Sequence, residues 1–294
     1  MRVTRCLMLT LACVLLAAPL IAADAPTASQ RLTARQVVER IKEDVHCERS
    51  EKTVDTFNSG DPDTPVTGVA TTFLATLDVL ERAVASGKNF VITHEPTFYN
   101  HVDDTKRFES DKVVAAKQAF INQHEIIIWR FHDHWHKRRP DGIIQGMTEK
   151  FGWGQYCDPD DPSVYHLPET TAEQMAGDLA AKFKTRTIRV VGRPGMKCRG
   201  VALVPGASGS AAQIRMLQRA DVQVVLAGET PEWETVEYVR DAVAAGKQKC
   251  LILLGHANSE EAGMEYCARW LKTFIPEVPI EFLPAGDPFW APRR

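Results

Sequence analysis

The chain has 294 residues, a formal net charge of −3 and 25 % charged side chains, which suits one large or two small domains with a proper core. No dense basic patch occurs, since Arg138-Arg139 (after Lys137) and Arg293-Arg294 are too short, so nucleic acid is not an expected partner.

In chain order, the first feature is an apolar run. Arg2 and Arg5 precede Cys6–Ala23, which is interrupted only by Thr10 and Pro19 and ends in Ala22-Ala23 before Asp24. A charged start, an apolar centre and a small-residue exit predict a secretory signal peptide over 1–23. A membrane anchor is the alternative, because about 18 apolar residues reach the lower limit for a span. Pro19 and the alanine exit favour cleavage, giving a periplasmic or secreted protein with no stable membrane anchor. A linker, 24–32, then leads into one domain over 33–290. Five cysteines remain there, widely spaced and without a Cys-x-x-Cys pair, which opposes both a disulfide framework and a zinc-thiolate site.

Thr33 and Gln36 form a predicted capping box for a helix carrying Val37, Val38 and Ile41. After a turn at 59–63 come a strand at 66–71, a helix at 74–86 and a short buried strand at 90–93. The same alternation continues with a helix at 111–123, a strand at 125–130 and a helix at 141–151. A loop at 153–164 precedes a helix at 171–183 with Thr170 as its expected cap. Strands follow at 187–191 and 201–204, then a glycine-rich turn, 205–210, and a helix at 211–220. A strand at 222–226, a helix at 233–245, a strand at 251–254, a helix at 260–274 and an edge strand at 280–283 complete the chain. This alternation predicts an α/β fold of two similar halves, about 33–165 and 166–290, with mixed, mainly parallel sheets flanked by helices. Right-handed crossovers put the strand C-termini of each sheet on one edge, so functional residues are expected there, in a cleft between the halves.

Histidines and carboxylates cluster at those ends. One unit reads helix, Gly87-Lys88, strand, His94-Glu95; a second reads helix, Gly246-Lys247, strand, Gly255-His256, then Glu260. Between them lies His132-Asp133-His134-Trp135-His136, three of the nine histidines within five residues. On an extended chain these three imidazoles would share one face. Each cluster has a bland alternative: a stray loop histidine, a charged surface turn, or helix capping by Glu260 with Asn258 or Ser259 as N-cap. Their conjunction points to a metal site, since imidazole and carboxylate suit borderline and hard divalent ions. His94-Glu95-Pro96 is not the zinc-protease helix motif, because Pro96 would break that helix. A glycine-rich turn before a helix can cradle an anion, but the one at Gly206–Ser210 lacks the lysine of a phosphate loop and the full dinucleotide spacing, so it is weak evidence for a phosphate ligand.

These motifs resemble those of the NGG-one-interacting-factor-three family, dinuclear-metal-centre hexameric proteins often labelled GTP cyclohydrolase I type 2 homologues. The resemblance runs from about Thr33 to Leu283. Gly255-His256-Ala257-Asn258-Ser259-Glu260 matches the family's Gly-His-x-x-Ser-Glu motif; Ala227-Gly228-Glu229 resembles its Thr-Gly-Glu strand end, and Gly206-Ala207-Ser208-Gly209 its glycine-rich turn. Two positions depart from the pattern. Glu95 replaces the second histidine of His-His-Pro, and His136 stands at the family's bridging aspartate. Either Glu95 takes over the bridge or one metal replaces two.

The resemblance implies metal ligands His94, Glu95, His132, His136, His256 and Glu260, with His134 or Asp133 as further candidates and Glu229 as an outer carboxylate. It implies one or two divalent cations per chain (Zn, Fe or Mn), a homohexamer and an unidentified small-molecule substrate. The expected function is hydrolysis by a metal-activated water, with a non-catalytic metal-binding oligomeric scaffold as alternative. Neutral imidazole ligands make metal affinity fall as pH drops through about 6. An amidohydrolase barrel would need its His-x-His on the first strand and eight strand–helix units, and neither is present.

Overall fold

A computed structural model describes residues 31–108 and 110–292; the expected signal peptide, 1–23, and nearly all of the linker, 24–32, lie outside them. Among the described residues no helix is long and apolar enough to cross a membrane. The fold is mixed α/β with two five-stranded mixed sheets flanked by helices.

The first sheet contains β1 (Phe57–Ser59), β2 (Val69–Thr72), β3 (Phe90–Thr93), β4 (Ile127–Arg130) and β10 (Ile280–Phe282), in the order β1-β4-β3-β2-β10. All neighbours are parallel except β1 with β4. The second sheet has the order β5-β7-β8-β9-β6. It comprises β5 (Val164–Thr171), β6 (Arg189–Val191), β7 (Lys197–Val204), β8 (Val224–Ala227) and β9 (Cys250–Leu253). Its centre is parallel and both edge strands are antiparallel. β2, β3, β4, β8 and β9 are buried along their whole length, as expected for strands covered on both faces.

The expected capping box is present. Thr33 Oγ1 accepts from Gln36 N and the Gln36 side chain accepts from Thr33 N, opening α1 (Ala34–Asp44). The flanking helices α2 (Leu77–Ala85) and α3 (Lys112–Gln123) are capped by Thr76 and Asp111. Two strands were not expected. β1 falls just before the predicted turn, and β5 occupies what reads as a loop and a helix start because Pro168 interrupts its alternation. The helix after it, α6 (Ala172–Phe183), is capped by Thr171 instead of Thr170.

One element joins the two sheets. α9 (His256–Leu271) leaves the end of β9 in the second sheet and packs along α5 (Gly142–Phe151), β2 and β10. Glycines allow the close crossing: a Cβ on Gly146 would lie 2.3 Å from the Ala262 carbonyl oxygen, and one on Gly263 2.5 Å from the Ile143 side chain. Thr71 Oγ1 of β2 donates to the Met264 carbonyl at 2.8 Å, fixing α9 against the first sheet. A helix that begins in one half thus delivers its first turns to the other.

Candidate metal centre

Three chain reversals past strand C-termini assemble the centre. β3 ends at His94-Glu95, β4 at the segment 131–136, and β9 at the start of α9. The six expected ligands, His94, Glu95, His132, His136, His256 and Glu260, converge. The ligand atoms of His94, His132 and His136 lie within 4.8 Å of one another, and so do those of His94, Glu95 and Glu260. His256 Nε2 stands 3.1 Å from Glu260 Oε2 and 3.4 Å from Glu95 Oε1. Glu95 Oε1 is also 3.7 Å from His132 Nε2, and Glu260 Oε2 is 3.6 Å from His94 Nε2. Each carboxylate therefore stands between two imidazoles.

The segment 132–136 is not extended. It forms a short helix, α4 (Asp133–Lys137), so His132 and His136 share one face four residues apart while His134 turns the opposite way. His134 Nδ1 hydrogen-bonds Asp55 Oδ2 at 2.6 Å and its Nε2 accepts from Ser50 N at 3.1 Å, so both ring nitrogens are engaged away from the centre. Asp133 is committed as well, accepting from Thr53 Oγ1, Val54 N and His132 Nδ1. Neither residue faces the other donors.

α9 also differs from expectation. It begins at His256 with Gly255 as N-cap, where φ is +91°, and no side chain caps it. Glu260 lies beyond the first turn, so it is not a helix-dipole carboxylate, and His256 and Glu260 share one helix face at i and i+4. Ser259 Oγ instead accepts from Gly206 N at 2.9 Å and donates to the His256 carbonyl. Gly206, with φ +60°, makes room for the ligand: a Cβ there would fall 2.1 Å from Glu260 Oε1. The glycine-rich turn is a seat for Glu260.

The imidazoles share one arrangement. Nδ1 of His94 donates to the Phe131 carbonyl at 3.2 Å, His132 Nδ1 bonds Asp133 at 2.9 Å, His136 Nδ1 bonds Asp141 at 2.9 Å, and His256 Nδ1 bonds Glu229 at 3.1 Å. A carbonyl oxygen only accepts, so His94 carries its proton on Nδ1 and its lone pair on Nε2. His94 is fully buried and its Nε2 has no hydrogen-bond partner, an arrangement costly unless another acceptor of the lone pair is present. Histidines whose outer nitrogen is held by a carbonyl or carboxylate are typical of metal sites, and the donor set of imidazoles and carboxylates fits a divalent ion.

Electrostatics separate the donors. Burial, reinforced by nearby His136 and His132, holds His94 well below its ordinary pKa. Burial opposes the charge on His256 too, but the bonds to Glu260 and Glu95 outweigh it and raise the pKa to about 10. His136 is likewise raised, the Asp141 bond overcoming burial. Glu95 is lowered despite burial, chiefly by His256.

Three supporting residues were not among the expected site residues. Asp55 accepts from the backbone N–H groups of His132 and Asp133 through Oδ1 and from those of His134 and its ring through Oδ2. It caps α4 from 78 residues upstream, counted to Asp133, a distance no local pattern spans. Asp141 divides its oxygens: Oδ1 caps α5 through Ile143 N and Ile144 N, and Oδ2 orients His136. Only the capping half of that role is legible at the start of an apolar helix. Arg130, buried at the end of β4, donates to the carbonyls of His94 and His101 and to Glu95 Oε2 at 3.4 Å, tying the His94-Glu95 reversal to the sheet.

The chain spans most of several solved structures. Staphylococcus aureus protein SA1388 superposes with a TM-score of 0.71 at 17 % identity, over 89 % of this chain and 99 % of that one. A Bacillus cereus protein related to NIF3 gives 0.70 at 15 % identity, over 88 % and 99 %. Reduced HcgD from Methanocaldococcus jannaschii gives 0.59 at 15 %, over 86 % and 98 %. At these identities the likeness establishes the fold alone. A sequence comparison with curated proteins finds no match. The family model of Duf34/NIF3 (NGG1p interacting factor 3) matches residues 32–288, nearly all of the described chain, and the protein belongs to that family.

Proposed function

We propose that this protein is an exported, metal-dependent hydrolase whose divalent ion or ion pair is held by His94, Glu95, His132, His136, His256 and Glu260. The observation that carries this reading is the shared orientation of four imidazoles. Each has Nδ1 engaged outward, Nε2 of His94, His132 and His256 stands 3.1–3.7 Å from Glu95 or Glu260, and that of His94 is buried and without a hydrogen-bond partner. Glu95 and Glu260, each between two imidazoles, would hold the ion or ions with them, and Glu95 would supply a carboxylate in place of the one that His136 replaces.

A divalent ion held there supplies Lewis acidity and makes water a nucleophile near neutral pH. The chain's own contribution is positional. Asp55 fixes the helix that carries His132 and His136, Arg130 neutralises Glu95 and pins its loop, and Glu229 orients His256 from the solvent side, where its side chain is 57 % exposed. The closed homohexamer and the cleavage after Ala23 belong to the same reading. Light scattering that gives a monomer at micromolar concentration, or N-terminal sequencing of exported protein that retains Met1, removes those two parts separately.

The deciding experiment is metal analysis of protein purified without chelators, together with a panel of ester, amide and phosphoester substrates. Bound metal with turnover supports the hydrolase. Bound metal without turnover on any class favours the non-catalytic scaffold, and no metal above background ends the reading.

A further inference from the structure

A cavity of about 350 Å³ opens beside the proposed metal centre, with Glu95 and His256 in its lining. Its walls are Phe73, Leu74, Ala285, Pro288 and Phe289. Phe73 is buried and packs its ring 5.3 Å from that of His256, so the apolar wall continues directly from a ligand. The opposite wall is preformed. Asp287 accepts from Thr185 Oγ1, Thr187 Oγ1, Asn258 Nδ2 and Phe289 N, while Ala285 N and Gly286 N donate to Glu261. That network ties residues 285–287 and the Phe289 backbone beside the cavity, and leaves the Phe289 side chain exposed in its lining.

The charge of the lining is one-sided. Glu95, Glu229 and Asp287 line the cavity, and among the described residues no lysine or arginine does. Lys150, Lys182 and Lys184 line an adjoining cavity that shares Asn258, Gly286 and Asp287 with this one, and there they stand with Glu261 and Glu265. Arg130, the cation that pairs with Glu95, is buried outside the cavity lining and donates to two carbonyls and Glu95. A phosphate chain entering here would meet carboxylates and apolar walls with no protein cation to receive it. An apolar group would displace water from Phe73, Leu74 and Phe289 at a favourable free energy.

We propose that this cavity is the specificity pocket of the site and takes an uncharged apolar group, of leucine or phenylalanine size, attached to the bond that is cleaved. It is not a nucleotide pocket. This rests on the metal-dependent hydrolase reading above, and its test separates the two.

The probes are acetohydroxamate and phenylacetohydroxamate, which share one metal-chelating head and differ in the group that would occupy the cavity, with inorganic triphosphate as the anionic comparison. Binding to the zinc-loaded full chain is followed by calorimetry. The phenyl compound is expected to bind roughly tenfold to a hundredfold more tightly than acetohydroxamate, as for partial burial of one aromatic ring. Leu74→Ser and Phe289→Ala should each shrink that ratio, leaving acetohydroxamate affinity and metal content unchanged. Triphosphate should bind more weakly than the phenyl compound. Equal affinities of the two hydroxamates, a ratio indifferent to both substitutions, or tighter triphosphate binding overturns the pocket assignment while metal content leaves the hydrolase reading intact. Failure to take up zinc overturns both, and shows itself in the metal analysis before any probe is added.

Discussion

His94 and His256 end two matching helix, Gly-Lys turn and strand units, yet they stand in opposite electrostatic settings. His94 is wholly buried, its outer nitrogen rests on a backbone carbonyl, and burial with two neighbouring imidazoles keeps it neutral. The His256 side chain is 25 % exposed and faces Glu260, Glu95 and Glu229; burial disfavours its charge, but Glu260 and Glu95 overcome this and hold its proton up to a pKa of about 10. The local sequence is nearly the same. What differs is supplied from elsewhere: Glu260 from one helical turn onward, and Glu95 from the other sheet. One half thus presents a donor ready for a cation, and the other a donor that must first release a proton.

That contrast ranks the ligands. His94 belongs to both triads of converging donors and has no solvent to replace it. His94→Ala should therefore lower metal affinity by more than the roughly 10–100-fold cost of an outer-shell change, and by more than His256→Ala does. Metal content after equilibrium dialysis measures both. If His256→Ala costs as much as His94→Ala, the buried donor is not the centre of the site. If both variants, and Glu260→Ala, keep full metal content, the site lies elsewhere.

The next effect concerns the supports. Asp141→Ala frees the His136 ring and removes a helix cap, whereas Glu229→Gln leaves a hydrogen-bonding side chain beside His256 at a largely exposed position. Asp141→Ala should reduce affinity by about 10–100-fold and Glu229→Gln by distinctly less. Asp55→Ala should act mainly on stability, because three backbone N–H groups and one imidazole lose their acceptor. A loss of about 3 kcal/mol in denaturant unfolding is expected, as for taking a buried acceptor away from several donors at once. A loss below about 0.5 kcal/mol, within the range of ordinary surface substitutions, would mean that α4 holds itself in place.

These supports also mark where the sequence stops being legible. Buried strands announce themselves as short apolar runs, so the ends of β3, β4 and β9, and hence His94, Glu95, His132 and His256, can be placed from local pattern. The alternation of His132, His134 and His136 mimics an extended chain. Only Asp55, far upstream, turns that segment into a helix and swings His134 away. The start of α9 was hidden for a similar reason: Gly255 caps it by backbone conformation, leaving Asn258 and Ser259 as misleading cap residues. Gly206 reads as part of an anion-binding turn until the Glu260 carboxylate is seen against it.

Proton release tests the contrast more finely. In metal-free protein His256 keeps its proton at neutral pH and His94 does not, so metal binding should release about one proton from His256 and none from His94. His136, also raised, adds to the count. Affinity should rise with pH over a window reaching toward 10, well above the value near 6 expected of unperturbed imidazoles. Calorimetry in buffers of different ionisation enthalpy measures the count, and His256→Ala should lower it by about one. The same shift sets the sign for stability without metal. A pKa raised from 6.5 to about 10 contributes in full below 6.5 and is lost as pH rises through about 10. If release does not change in His256→Ala, the ion does not displace that proton.

The smallest effect is expected at Glu95, one of the two positions where the sequence departs from the motif it resembles. Glu95→His puts a histidine where the His-His-Pro pattern has one. The new imidazole can reach the region now held by Glu95 Oε1, 3.4 Å from His256 Nε2 and 3.7 Å from His132 Nε2. It cannot replace Glu95 Oε2 as acceptor for Arg130, but Arg130 keeps its bonds to the carbonyls of His94 and His101, so the loop should stay in place. It also removes one carboxylate from beside His256, which lowers the proton's hold on that ring and brings its behaviour closer to that of His94. Total metal content should therefore change little, while competition between zinc and manganese should shift toward zinc, the ion that takes nitrogen donors more readily. Unchanged selectivity with full metal content would show that Glu95 is not a ligand and serves only to pair Arg130 with His256. Complete loss of metal would show instead that a carboxylate is required at this position, as expected of a bridge between two ions.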